Sequence, residues 1–126
     1  MITYKIIFNQ EENDKPSISF GEGNDYWYFN ELNSCNIEYI LDDVLPSIES
    51  IWKGEKYWDS FRSPTYGPFD SYEFGFDATS IDFGKERSIV SYGFGEGTFE
   101  VASEEISKFM KEWGSYLKSW EDKSLM

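Results

Sequence analysis

Between Ile37 and Trp52 the apolar residues Ile37, Ile40, Leu41, Val44, Leu45, Ile48, Ile51 and Trp52 recur every three or four positions. That spacing is one face of an α-helix. Ser34 or Asn36 supplies its start signal and Gly54 its stop. Pro46 falls inside the run, where it removes a backbone donor and crowds the preceding turn. Either the helix kinks there, or one helix ends near Leu45 and Pro46 opens a second as its first residue. A second helical face comprises Ile106, Phe109, Met110, Trp113, Leu117 and Trp120. Ser103 is a good N-cap for it, and Glu104 and Glu105 lie in its first turn, where the helix dipole favours negative charge. Gly114 within this helix costs about 1 kcal/mol relative to alanine.

Elsewhere the rhythm is two rather than three or four. Ile2 to Phe8 reads as an opening strand, Gln10 to Pro16 as a polar turn, and Ser17 to Phe20 as a second strand. After the turn Gly21 to Asp25, the aromatic run Tyr26 to Phe29 reads as a third strand of an antiparallel meander. Glu55 to Pro68, with Tyr57, Trp58, Phe61 and Tyr66, reads as an extended segment followed by a loop. Tyr72, Phe74 and Phe76 alternate with polar neighbours as a half-buried strand does, and Ser80 to Phe83 continues that strand or pairs with it. Gly84 to Glu86 is a turn, Arg87 to Phe94 a further strand, and Gly95 to Gly97 a turn into Thr98 to Val101. These elements predict an α+β fold: a mainly antiparallel sheet packed against a middle helix and a C-terminal helix. The 126 residues are room for a single domain, 1–126.

Charge narrows the partners. Asp and Glu outnumber Lys and Arg 24 to 11, a formal net charge of −13, while 20% of the residues are aromatic. The aromatics supply apolar area for a core, so the acidity predicts a folded, strongly negative surface and not disorder. Such a surface repels nucleic-acid phosphates and anionic lipids and attracts basic partners, so neither nucleic acid nor membrane is expected as a direct ligand. Cys35 is the single cysteine, the first residues lack the pattern of a signal peptide, and no stretch is long and apolar enough to span a bilayer. A cytoplasmic location is the expectation.

Chemistry is narrowed further by what is missing. The chain has no histidine. That removes the usual general base and the commonest transition-metal ligand, so neither an enzyme nor a bound cofactor or metal is expected. Gly93-Phe94-Gly95-Glu96-Gly97 lacks the spacing of a dinucleotide or phosphate loop and reads as a hairpin turn. Two leads toward a binding surface remain. Tyr26-Trp27-Tyr28 and Tyr57-Trp58 cluster large rings, with Trp27 and Trp58 as the candidates for exposed anchors. On a continuous middle helix, Glu38, Asp42 and Glu49 project along one line beside the apolar stripe, with Asp43 further round. An acidic edge of this kind either only solubilises the helix or docks against a basic cleft.

The segment Ile37-Glu38-Tyr39-Ile40-Leu41-Asp42-Asp43-Val44-Leu45-Pro46-Ser47-Ile48, followed by Trp52-Lys53-Gly54-Glu55, resembles small acidic proteins of Gram-positive bacteria that are similar to immunity proteins of polymorphic toxin systems. Phe99-Glu100-Val101 leading into a helix with Glu112-Trp113 and Leu117 is similar to the way those chains close. The resemblance covers about half the chain and includes no catalytic motif. It implies a cytoplasmic protein that binds a cognate toxin, often a nuclease, and blocks its active site. Joined to the acidic edge and the exposed rings, which the resemblance itself does not assign, this makes the expected function an immunity or inhibitor protein that holds a basic toxin domain through Glu38, Asp42, Asp43, Glu49, Trp27 and Trp58. The alternatives are a carbohydrate-binding module built on exposed rings and a carboxylate-only enzyme such as a glycosidase.

Overall fold

The alternating aromatics from Tyr72 to Phe83 form two strands rather than one, because Asp77-Ala78 turns the chain between them. The structure, a computed structural model, describes residues 2–21, 23–54 and 71–124. Strand β1 (Lys5–Asn9) pairs antiparallel with β2 (Lys15–Ser19) across a short 3-10 turn, Gln10–Glu12. A longer 3-10 helix, Trp27–Ser34, leads to a π-helical turn, Tyr39–Val44, that runs directly into helix α1 (Leu45–Trp52). Strands β3 (Tyr72–Phe76), β4 (Thr79–Phe83), β5 (Arg87–Tyr92) and β6 (Gly97–Ala102) form a four-stranded antiparallel meander in sequential order, and helix α2 (Ser103–Ser124) follows. The expected α+β architecture is what the chain adopts, with the strands divided between two sheets.

Inward-facing Phe74, Phe76, Ile81, Phe83, Val90 and Val101 form a single core with Ile40, Val44, Ile48, Ile51, Ile106, Met110 and Trp113 from the helices. Phe29 joins the two sheets. Its ring lies 5.9 Å from Phe20 of the β2 side, 5.7 Å from Phe76 of β3 and 5.7 Å from Phe109 of α2. The β1–β2 hairpin lies along α2, with Tyr4 against Phe109 at 4.9 Å and Phe8 against Tyr116 at 6.2 Å. Further along, the Trp120 indole N–H donates to the Asn13 carbonyl at 3.0 Å.

The third strand expected at Tyr26 to Phe29 is instead the 3-10 helix, and two asparagines explain the difference. Asn33 accepts from the Ile18 N–H at 2.9 Å and donates to the Ile18 carbonyl at 2.8 Å. Asn30 does the same with Phe20, at 2.8 and 3.2 Å. A 3-10 helix rises about 6 Å over three residues. A strand rises nearly 7 Å over two. The amides of Asn30 and Asn33 therefore fall in step with alternate residues at the edge of β2 and take the place of a strand partner.

Pro46 shapes the middle helix. It sits in the first turn of α1, and just before it the Leu45 N–H donates to the carbonyl of Ile40, five residues back. Proline offers no N–H and its ring crowds the carbonyl four residues earlier, so the backbone widens by one residue there. Asn36 supplies the start, its side-chain oxygen accepting from the Glu38 N–H at 2.9 Å. Gly54, at φ 83°, ends the helix with its N–H on the Ile51 carbonyl. Ser103 at the start of α2 is fully buried, and its hydroxyl pairs with that of Ser88 at 2.6 Å. Gly114 proves to be a packing residue: a Cβ there would lie 2.4 Å from Leu45 Cδ1. A side chain at this position would have to displace the Leu45 methyl, so α2 and the middle helix approach closely here.

Candidate partner interface

The acids expected on one line of the middle helix are divided by the π turn. Glu38 is exposed at its start, and Asp42 and Asp43 are exposed on the turn itself. Glu49 follows on α1. The extra residue in the turn offsets the faces on either side of it, so the straight edge expected of a continuous helix is broken. Two of the four acids are tied into the fold. Asp43 accepts from the Tyr72 hydroxyl at 3.2 Å. The Glu49 carboxylate sits 3.0 Å from Lys111 Nζ on α2 and 3.5 Å from Lys53 Nζ. The hydrogen bond from Lys111 holds the Glu49 carboxyl below its ordinary pKa. Trp27 is 45% exposed at the first position of the 3-10 helix. Among the described residues, no ring or polar contact joins it to the four acids. Trp58 and its neighbours Glu55 to Pro68 lie outside the described residues.

A second acidic surface lies on the outer face of the four-stranded sheet. Cross-strand register places Glu73 beside Asp82, Asp82 beside Ile89, and Ile89 beside Glu100. All four side chains are exposed, Ile89 at 49%. The next row, Gly75, Ser80, Ser91 and Thr98, carries only small side chains. The pairing of Glu73 with Asp82 puts like charges directly opposite each other, which disfavours the sheet by about 0.2–1 kcal/mol. Arg87 offsets part of the charge through a 2.7 Å ion pair with Glu100.

The small-residue row ends beneath Phe94. This side chain is 87% exposed and helps line a shallow hollow of about 290 Å³ with Gly75, Ala78, Ser80 and Ser91. It occupies the turn Gly93-Phe94-Gly95-Glu96, where three successive residues have left-handed φ values of 61°, 57° and 86°. Glycine adopts that region freely, whereas a bulky residue in it costs roughly 1–2 kcal/mol. The Phe94 N–H holds the arrangement by donating to the Ala78 carbonyl at 2.9 Å, so the β3–β4 and β5–β6 turns are tied together. Ala78 in turn donates its N–H to Glu31 Oε1 at 3.1 Å. The sequence signal for Phe94 was a lone aromatic set between glycines. Read only as turn chemistry, it gives no hint that the ring projects into solvent.

Titration shifts elsewhere follow burial. Cys35 is half-buried, and its thiol is pushed up by desolvation and then by Asp77. Tyr4, Tyr26 and Tyr39 are likewise pushed up, chiefly by burial. The hydrogen bond from the Tyr4 hydroxyl to Glu112 adds to the shift at Tyr4. Among the described residues, no group of three or more His, Cys, Asp or Glu is placed to hold a metal ion, and no helix is long and apolar enough to cross a membrane. The chain matches no protein-family model, and no curated protein or solved structure is significantly similar to it.

Proposed function

We propose that the chain is an immunity or inhibitor protein, working in the cytoplasm, that binds a basic protein domain of the toxin type and performs no catalysis of its own. The observation that carries this reading is Phe94, an exposed ring held in costly backbone geometry at the rim of an acidic sheet face. A surface that keeps both an opposed Glu73–Asp82 pair and a left-handed phenylalanine works against its own stability. Local conflicts of that kind concentrate at functional sites. A buried aromatic anchor supplies most of the affinity at a protein interface, while surrounding charges steer the encounter. The face offers both parts: Phe94 and Ile89 as apolar anchors, and Glu73, Asp82 and Glu100 around them.

The test is titration of the purified chain with the toxin-like domain encoded next to its gene, together with a survival assay in cells producing that domain. Phe94→Gly keeps the turn and relieves its strain. It is expected to weaken binding by about 30-fold or more, corresponding to roughly 2 kcal/mol for an anchor residue. The association rate should also fall as salt is raised. Absence of binding together with absence of protection refutes the proposal, and binding indifferent to Phe94→Gly refutes the assignment of the face.

A further inference from the structure

The edges of the two sheets are treated unequally. The outer edge of β2 is closed by Asn30 and Asn33, and Pro16 contributes no donor there. The outer edge of β3 is covered by Tyr39, whose hydroxyl lies 3.3 Å from both the nitrogen and the carbonyl oxygen of Gly75. Among the described residues, β1 has no such cover. Ile6 faces Ile18 and Phe8 faces Pro16 in the register. The N–H and carbonyl of Ile18 are turned away from β1 to meet Asn33. In an antiparallel pair the two residues of such a non-bonded couple both direct their backbone groups outward. The N–H and C=O groups of Ile6 and Phe8 therefore line an edge that no described residue pairs with, flanked by Ile7 at 51% and Phe8 at 53% exposure. Edges left this way are templates for another strand.

At its amino-terminal end this edge runs into a hollow of about 390 Å³ lined by Ile2, Thr3, Tyr4, Glu104, Glu105, Lys108, Phe109 and Glu112. With Glu105 set aside, Glu104 and Glu112 against Lys108 still give the described part of the lining an acidic excess. The edge-to-face pair of Tyr4 and Phe109 gives it aromatic walls, a setting that suits a guanidinium. The turn at the other end of β1 carries Glu11 and Glu12. A second copy of this chain is a poor occupant. Antiparallel pairing of two β1 edges would lay Glu11 and Glu12 of each chain beside the glutamate-lined hollow of the other, and each chain carries −13 overall.

We propose that β1 takes up an extended, arginine- or lysine-bearing segment of a protein partner as an additional strand, with a basic side chain seated in the hollow beside Tyr4 and Glu112. The main chain of Ile6 and Phe8 supplies the hydrogen bonds, and the glutamates select for basic side chains. From the proposed function this takes only the basic character of the partner. Its test uses no toxin, so either proposal can fail while the other stands.

The probe is a seven-residue peptide of alternating arginine and valine, capped at both ends, titrated into the full chain and followed by amide hydrogen exchange. The Ile6 and Phe8 amides should become protected by about tenfold or more, while the Ile7 amide, already within the β1–β2 ladder, stays unchanged. Phe8→Pro removes the outward donor without touching the ladder, because the Phe8 N–H does not face β2. It should bind the peptide about tenfold or more weakly than Phe8→Ala, which keeps the donor. The same peptide with alternate amides N-methylated retains charge and side chains, and should not bind the wild-type chain. Equal binding of the N-methylated peptide means attraction by charge alone and overturns the proposal. Equal binding by Phe8→Pro and Phe8→Ala overturns it as well. If Phe8→Pro loses protection at Ile7, its hairpin has opened, and the N-methylated peptide against the wild-type chain then decides.

Discussion

Replacing Asn33 by alanine removes the two hydrogen bonds that close one end of the β2 edge, at 2.9 and 2.8 Å to Ile18. The Ile18 side chain is only 2% exposed, and its backbone groups are partly buried, so water replaces the lost amide incompletely. A typical hydrogen bond contributes about 0.5–1.5 kcal/mol net, and leaving a buried group unsatisfied costs about 1–3 kcal/mol. Because this site is partly open, two lost bonds should cost about 2–3 kcal/mol. Urea unfolding followed by tryptophan fluorescence measures the change as a lower midpoint at unchanged slope. Asn33→Asp is the sharper variant. It keeps the oxygen that accepts from the Ile18 N–H but places a second acceptor against the Ile18 carbonyl, so it should be no better than alanine. If Asn33→Asp matches the wild type, the donor half of the pairing carries no energy and the picture of a side chain replacing a strand is wrong. Asn30→Ala should behave similarly at Phe20. The double variant should cost less than the sum, because once one amide is gone the helix is free to shift away from the edge.

Thr79 has its hydroxyl buried without a hydrogen-bond partner among the described residues, so Thr79→Val should raise stability by about 1 kcal/mol, read as a higher thermal midpoint. Gly114→Ala should destabilise the native chain, since overpacking costs about 1–3 kcal/mol against a helical gain near 1. In a Leu45→Ala background, where the clash is gone, the same change should become stabilising, and calorimetry of the four variants decides the sign. Tyr4, Tyr26 and Tyr39 ionise less readily in the folded chain than at the ordinary value of 10.0, so their stabilisation is complete below that pH and lost as pH rises through the folded values. Alkaline unfolding should therefore coincide with a late rise in tyrosinate absorbance; full ionisation near pH 10 without unfolding contradicts it. The pKa of Glu49 is lowered from 4.5, so its contribution is present above that value and lost as pH falls through the folded one. Lys111→Met should cost under about 1 kcal/mol near neutrality, with the difference from wild type vanishing in acid urea titrations.

The strands from Tyr72 onward and both helices could be read from apolar spacing, because burial on one face imposes a period that survives in the sequence. The 3-10 helix at Trp27 could not. Its aromatic run has the composition of a strand, and what decides its form is two amides reaching an edge ten to fifteen residues earlier. Gly114 read as a weak point in a helix because its purpose depends on Leu45, which is distant in sequence. Of the residues expected to meet a partner, Glu38, Asp42 and Asp43 are exposed, Asp43 while accepting from Tyr72, and Glu49 is paired with Lys111. That pairing exists only once α2 docks, so no local pattern encodes it. The exposed ring of Phe94 has no local signature for the converse reason: the glycines around it announce a turn, but its exposure to solvent is a property of the finished sheet.

The β1–β2 hairpin and helix α2 hold each other, through Tyr4 on Glu112 and Trp120 on Asn13, across 108 and 107 positions. While the protein is being made, Ile18 and Phe20 emerge early and wait for their cover until Phe109 and the rest of α2 have been synthesised. At about 5–20 residues per second that interval lasts several seconds. During it the open β1 edge and the apolar face of the hairpin are exposed together, which makes the half-made chain adhesive. A strongly acidic sequence is then useful before any partner arrives, because mutual repulsion keeps neighbouring nascent chains apart until α2 closes over β1 and β2.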